Sequence, residues 1–322
     1  MFEFILGALD RIIKISTWGC MGYAHGGLEW IQTVIIFNSK ALGLVPPEVR
    51  SSKNSHSTAS NRNQNTMSTE IRPEVEMQFR RKAEVVVFDK DGTLIDFHSM
   101  WVKWAHDLLD SLDILNVVNP DQILKFASAI GFDRSSSKVD KRSPICCSPM
   151  CKIEAICLQS LEESMSRDEA KSAMANIWKM PNPLETAKPL TDLPVLFNLI
   201  KNDLGMKIAV CTTDNLDITL KTLELLKVLH MVDYVVGGDD PTLAPKPSPE
   251  QIRHICSKLG VCPTKSIMVG DTITDMRMGR AAGVYLNIGI RNGAGTVSDL
   301  SEHADFILPS MNNLGGILHK FA

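Results

Sequence analysis

Four short stretches carry residues whose types and spacing could supply a nucleophile, an acid, an anion site and a cation site. The first runs Val-Val-Val-Phe-Asp89-Lys90-Asp91-Gly92-Thr93-Leu94. Side chains alternate along an extended segment, so Asp89 and Asp91 can point into one cleft. Close carboxylates repel, which raises one pKa and favours a protonated partner unless a cation intervenes. Ionised Asp89 could then attack phosphorus, while Asp91 protonates the leaving oxygen and later activates water. Taken alone, the same stretch also makes a good surface turn.

The second stretch is Cys211-Thr212-Thr213-Asp214-Asn215 at a helix start. Its hydroxyls and backbone N–H groups could hold a phosphoryl group, or merely cap the helix. The third, Pro245-Lys246-Pro247-Ser248-Pro249, surrounds one lysine with three prolines. That arrangement suits aiming an ammonium at a nucleophile and phosphoryl oxygens, although most lysines are solvated. The fourth, Val269-Gly270-Asp271-Thr272-Ile273-Thr274-Asp275, sets one carboxylate at a strand tip and another four residues on. Hard oxygen donors suit Mg²⁺ over zinc, and Asp275 also reads as an ordinary first-turn acid.

These stretches need elements to position them. Short apolar runs at Glu84–Phe88, Lys207–Cys211, Tyr234–Val236, Ser266–Val269, Val284–Ile288 and Asp305–Leu308 alternate with amphipathic helical patterns. That order predicts an α/β fold: a doubly wound, Rossmann-like parallel sheet covered by helices. One helix carries Leu193, Leu196, Leu199, Ile200 and Leu204 and ends at Gly205. Another opens on Ser248, Pro249 and Gln251 with capping-box spacing and closes at Gly260. From His98 to Thr186 no strand is expected, only helical stretches such as Trp101, Trp104, Leu108, Leu109 and Leu112. Following the first strand, this insert must hang over the strand ends where such sheets place ligands. It is therefore read as a helical cap.

Together the four stretches, in this order and each at a strand end, resemble the haloacid dehalogenase superfamily over about Ala83 to Leu308. The position of the insert is similar to the helical cap of its phosphoglycolate phosphatase-like branch. The resemblance implies Asp89 as the phosphorylated nucleophile and Asp91 as the general acid/base. It implies phosphate binding by Thr212 and Lys246, with Thr213 beside them. Mg²⁺ would be held by Asp89, the main-chain carbonyl of Asp91, and Asp271, with Asp275 in support. The second acid, absent in the founding dehalogenases, favours phosphoester chemistry; ion-pumping relatives carry Asp-Lys-Thr-Gly where this chain has Asp-Lys-Asp-Gly. A Mg²⁺-dependent phosphomonoesterase for a small phosphorylated metabolite is the expected function. The alternatives are a phosphomutase, a phosphonate hydrolase using a cap lysine such as Lys103 or Lys125, or a non-catalytic protein that keeps the fold.

Composition agrees with a globular chain. The 322 residues are 44% hydrophobic, enough for a core and for about two domains. With 34 Lys+Arg against 37 Asp+Glu, the net charge of -3 offers nucleic acid little attraction. Eight cysteines without paired spacing suit free thiols and a cytoplasmic setting. Cys146, Cys147, Cys151 and Cys157 cluster in the cap, but the Cys-x3-Cys pair lacks a second pair with zinc spacing.

No run of 18 apolar residues predicts a transmembrane span. Phe2, Ile5, Leu6, Leu9, Ile12 and Ile13 share a helical face, so residues 1–38 could touch a membrane peripherally or carry a mitochondrial address, although Glu3 and Asp10 argue against an ordinary transit peptide. The expected layout is an amphipathic extension over 1–50, a disordered polar linker over 51–82, a core of 83–97 and 187–322, and a cap over 98–186.

Overall fold

Val85–Phe88 are wholly buried. A strand apolar on both faces belongs inside a sheet that is covered on both sides, and the computed structural model, which describes residues 83–291 and 293–322, places it there. The strands are β1 (Val85–Phe88), β2 (Phe132–Asp133), β3 (Lys138–Val139), β4 (Lys207–Cys211), β5 (Tyr234–Val236), β6 (Ser266–Gly270), β7 (Leu286–Ile290) and β8 (Phe306–Leu308). Six form one parallel sheet in the order β5-β4-β1-β6-β7-β8. The chain winds outward from β1 through β4 to β5, then returns beside β1 and winds out the other way. This reversal puts the switch point, where open parallel sheets bind ligands, at the C-terminal end of β1.

The expected alternation is visible in the side chains. Val86, Phe88, Ile208, Val210, Ile267 and Val269 face one way, against α7 (Leu193–Asn198) and the later α12 (Leu314–Leu318). Val85, Val87, Ala209, Cys211 and Met268 face the other, against α9 (Glu250–Leu259) and α10 (Ile273–Ala282). The remaining core helices are α8 (Leu216–Leu225) and α11 (Val297–Ser301).

Between β1 and β4 lies the insert, which opens with a π-helical turn at His98–Val102. Its helices are α1 (Lys103–Leu115), α2 (Pro120–Ile130), α3 (Pro144–Cys147), α4 (Met150–Glu162), α5 (Arg167–Ile177) and α6 (Pro183–Thr186). They bury a cluster of their own that includes Leu109, Leu112, Phe126, Ile130, Ile153 and Leu161. At its root the two connections run side by side: Asp96 N–H donates to Lys188 O at 2.8 Å, and Leu190 N–H to Leu94 O at 3.0 Å. Ser99 Oγ donates to Thr186 O at 2.7 Å across the same junction.

Three expectations need correction. The insert is not strand-free, because β2 and β3 form a small antiparallel hairpin; two residues per strand are too few to show an alternation in sequence. The strand expected at Val284–Ile288 runs over Leu286–Ile290 instead. Gly283 takes a left-handed cap at φ 75°, and Val284 N–H returns to Gly279 O at 3.2 Å, which uses both residues to close α10. The capping box at α9 does not form, since Gln251 turns into the core and its Oε1 accepts from Cys211 Sγ at 3.3 Å. The readings of residues 1–50 and 51–82 lie outside the described residues. Among the described residues, no helix is long and apolar enough to cross a membrane.

Candidate active site

Asp89 N–H still donates to Val269 O at 2.9 Å, after which the chain leaves the sheet in a tight turn. Lys90 O accepts from Leu94 N–H at 2.8 Å and from Ile95 N–H at 3.1 Å, while Gly92 N–H donates to Ile95 O at 2.7 Å. Gly92 has φ +83°, and a Cβ there would stand 2.2 Å from Asp271 Oδ2. Conformation and space both demand glycine. The turn sets Asp89 and Asp91 on the wall of one cavity.

Three carboxylates meet below it. Asp89, Asp271 and Asp275 are buried, with one oxygen from each within 4.8 Å of the others. Lys246 Nζ bridges two of them, at 2.6 Å from Asp89 Oδ1 and 2.6 Å from Asp275 Oδ1. Thr93 Oγ1 donates to Asp271 Oδ1 at 3.1 Å, and Ala294 N–H to Asp271 Oδ2 at 2.5 Å. Asp275 plays both parts that its sequence position allows. Its Oδ2 completes a capping box with Thr272 at the start of α10, and its Oδ1 joins the cluster.

The electrostatics follow from crowding acids out of water. Burial raises the Asp89 pKa to about 7, and repulsion from Asp275 and Asp91 adds to it against the pull of Lys246. Burial, then Asp89 and Asp275, push Asp271 well above the usual carboxylate range. Burial works against the charge of Lys246, but Asp275 and Asp89 outweigh it and hold the ammonium protonated. One ammonium against three buried carboxylates leaves this cluster short of positive charge. Its donors are all hard oxygens, so the residues fit Mg²⁺.

A second buried ion pair was not anticipated. Lys90 is fully buried; its Nζ lies 2.7 Å from Asp214 Oδ2 and 3.1 Å from Asp91 Oδ1, against Met100 Sδ at 3.9 Å. The available signal is a lysine two residues past a wholly apolar strand, with an aspartate three residues past the end of its neighbour, β4. Charges this close to the strand ends must find each other. The Asp91 carboxylate is thus turned toward Lys90, apart from the Asp89, Asp271 and Asp275 cluster.

The other expected residues divide. Thr213 lines the cavity. Thr212 is buried, with its hydroxyl accepting from Asp214 N–H at 3.1 Å. The roof comes from the insert: Trp101, Ile145, Cys146, Ser148, Met150 and Ile153, with Phe97 from the junction. The space enclosed is about 20 Å³, room for about one water, so the insert is closed over the strand ends. His98 is exposed and does not line the cavity; Lys103 pairs with Asp107 at 2.6 Å on the insert surface, and neither Lys103 nor Lys125 reaches the cavity wall.

A sequence model of the haloacid dehalogenase-like hydrolases matches residues 83–283. The chain is 26% identical over 234 residues to a phosphoglycolate phosphatase of Aquifex aeolicus, covering 71% of this chain and 94% of that one. It is 25% identical over 245 residues to the pyrophosphatase PpaX of Bacillus velezensis, covering 73% and 95%. A solved structure described as a predicted phosphoglycolate phosphatase from Haemophilus somnus matches with a TM-score of 0.53 over 74% of this chain and 98% of that one. At 17% identity that likeness concerns the fold. Matched over well more than half its length, the chain belongs to the haloacid dehalogenase-like hydrolases, and the class of its activity is that of a phosphatase.

Proposed function

We propose that this phosphatase is a Mg²⁺-dependent phosphomonoester hydrolase for a small phosphorylated metabolite, working through an aspartyl-phosphate. The observation that carries the reading is the division of labour between the two aspartates of the first turn. Asp89 sits in the carboxylate cluster beside Lys246, whereas Asp91 faces the same cavity outside that cluster. Asp89 Oδ attacks phosphorus, the P–O bond to the leaving group breaks, and Asp91 gives that oxygen a proton. Asp91 then takes a proton from the water that hydrolyses the acyl phosphate and frees Asp89 and inorganic phosphate.

Lys246 holds the nucleophile in place and offsets charge on the phosphoryl oxygens, with Thr213 in the lining of the same cavity. Asp89, Asp271 and the main-chain carbonyl of Asp91 would hold Mg²⁺, with Asp275 in support. When bound, the ion offsets the mutual repulsion of carboxylates and phosphoryl group. The closed insert excludes water and favours small leaving groups over phosphoproteins or nucleic-acid ends.

Hydrolysis of p-nitrophenyl phosphate by the purified chain tests the reading. Turnover is expected to vanish in excess chelator and return with Mg²⁺. Unchanged turnover in chelator would overturn the metal-dependent route.

A further inference from the structure

The relatives named phosphoglycolate phosphatase act on a substrate whose leaving group carries a carboxylate. In this chain the charges and the wall around the reacting centre oppose such a group. Five carboxylates, Asp89, Asp91, Asp214, Asp271 and Asp275, surround the strand ends, and all but Asp91 are buried. Only two ammonium groups meet them among the described residues. Each is engaged by two carboxylates, Lys90 by Asp91 and Asp214 and Lys246 by Asp89 and Asp275. Neither is left to hold a substrate carboxylate.

The roof repeats the message. Its part from the insert is Trp101, Ile145, Met150 and Ile153 with Cys146 and Ser148, none of which carries an ionic side chain. Burial pushes the Cys146 thiol far up, so it stays neutral. Of the insert's cations near these residues in sequence, Lys103 pairs with Asp107 and Lys152 is exposed, neither lining the cavity, while Lys141 and Arg142 are spent on the core. Lys141 Nζ donates to Gly295 O at 3.2 Å, and Arg142 pairs with Asp299. When the insert closes on a substrate, the group beyond the bridging oxygen meets this roof. A carboxylate there would lose its water without gaining a counter-charge.

We infer that the leaving group of the natural substrate is uncharged and apolar, because Trp101, Ile145, Met150 and Ile153 roof a reacting centre whose two ammonium groups are both already paired. The inference rests on the phosphatase reading and deepens it. A small alkyl or weakly hydroxylated alkyl phosphate fits this wall, and 2-phosphoglycolate does not.

The experiment compares kcat/KM for 2-phosphoglycolate with that for isobutyl phosphate, its uncharged isostere, in Mg²⁺. Calorimetry of the non-hydrolysable pair, 3-phosphonopropionate and 3-methylbutylphosphonate, reads binding apart from turnover. The uncharged member of each pair is expected to be favoured by at least about tenfold. Met150→Lys, which keeps the length of the side chain and adds an ammonium to the roof, is expected to shift the ratio toward phosphoglycolate by a similar factor. Equal or better handling of phosphoglycolate by the unmodified chain, or turnover of neither ester, overturns the inference while leaving the phosphatase reading intact if p-nitrophenyl phosphate is cleaved. No cleavage of p-nitrophenyl phosphate overturns both.

Discussion

The sheet and the insert bury charge in opposite ways. At the strand ends of the sheet, Asp89, Lys90, Asp214, Lys246, Asp271 and Asp275 are all buried, and ion pairs or backbone donors partner them. The insert buries an apolar cluster and keeps its charges outside: Lys103 with Asp107, and Arg134 with Asp110 and Asp113, all stand at the surface. A strand end is fixed by its two neighbours through a ladder of hydrogen bonds, so it can hold charges in fixed positions at the cost of burying them. A helical roof is fixed by shape-tolerant apolar packing, which lets its lining vary without disturbing the chemistry beneath. On the proposed reading, chemistry belongs to the sheet and choice of substrate to the insert.

The largest expected effect that could break this division is at Asp89. Asp89→Asn removes the proposed covalent nucleophile, and kcat should fall by about three orders of magnitude or more with the fold intact. A loss below about tenfold would mean that the strand-end carboxylates are not the reacting groups.

Next come two stability effects that should separate the halves. Lys90→Met leaves Asp214 buried without its partner and should cost about 3–5 kcal/mol. The double variant Lys90→Met with Asp214→Leu should recover much of that, since an apolar pair of similar volume is often neutral. Denaturant unfolding of the two variants checks this, and equal loss in both would show that charge pairing is not what holds the strand ends. In the insert, Leu109→Ala should cost about 2–5 kcal/mol through a cavity in its apolar cluster. Hydrogen exchange should then quicken in α1, α2 and α4 while the amides of β1 and β6 stay protected; equal quickening in both would show one cooperative unit.

The smallest effect concerns pH. With Asp89 titrating near 7 in the folded metal-free chain, against about 3.9 when unfolded, the folded state binds more protons in between. Stability of the metal-free protein should then fall as pH rises from about 4 to about 7. Mg²⁺ competes with those protons, so its addition should raise Tm more at pH 8 than at pH 5. Thermal unfolding with and without the ion checks this, and an equal rise at both values would count against an Asp89 ligand.

Legibility in the sequence follows the same division. The strand-end residues Asp89, Lys246, Asp271 and Asp275 could be read because each lies in a short run that ends an apolar strand or is pinned by prolines, and the structure brings them together. The pairing of Lys90 with Asp214 was hidden because its two members lie 124 residues apart and join only through the β1 and β4 register. Gln251 was misread as a cap residue because a local spacing rule cannot see that Cys211 stands beneath it. The insert showed its helices through apolar periodicity but not which of their faces roofs the cavity. Trp101 and Ile145 line it, while Leu109 and Leu112, of the same chemical kind, pack inward.

The claim that chemistry resides at the end of β1 is tested most directly by trapping the covalent intermediate. The protein would be mixed with p-nitrophenyl phosphate and Mg²⁺, quenched in acid during turnover and mapped by peptide mass spectrometry. A phosphoryl group on the peptide bearing Asp89, absent from Asp89→Asn, is the predicted result. Turnover with no phosphorylated peptide, or with the group on another residue, would contradict it.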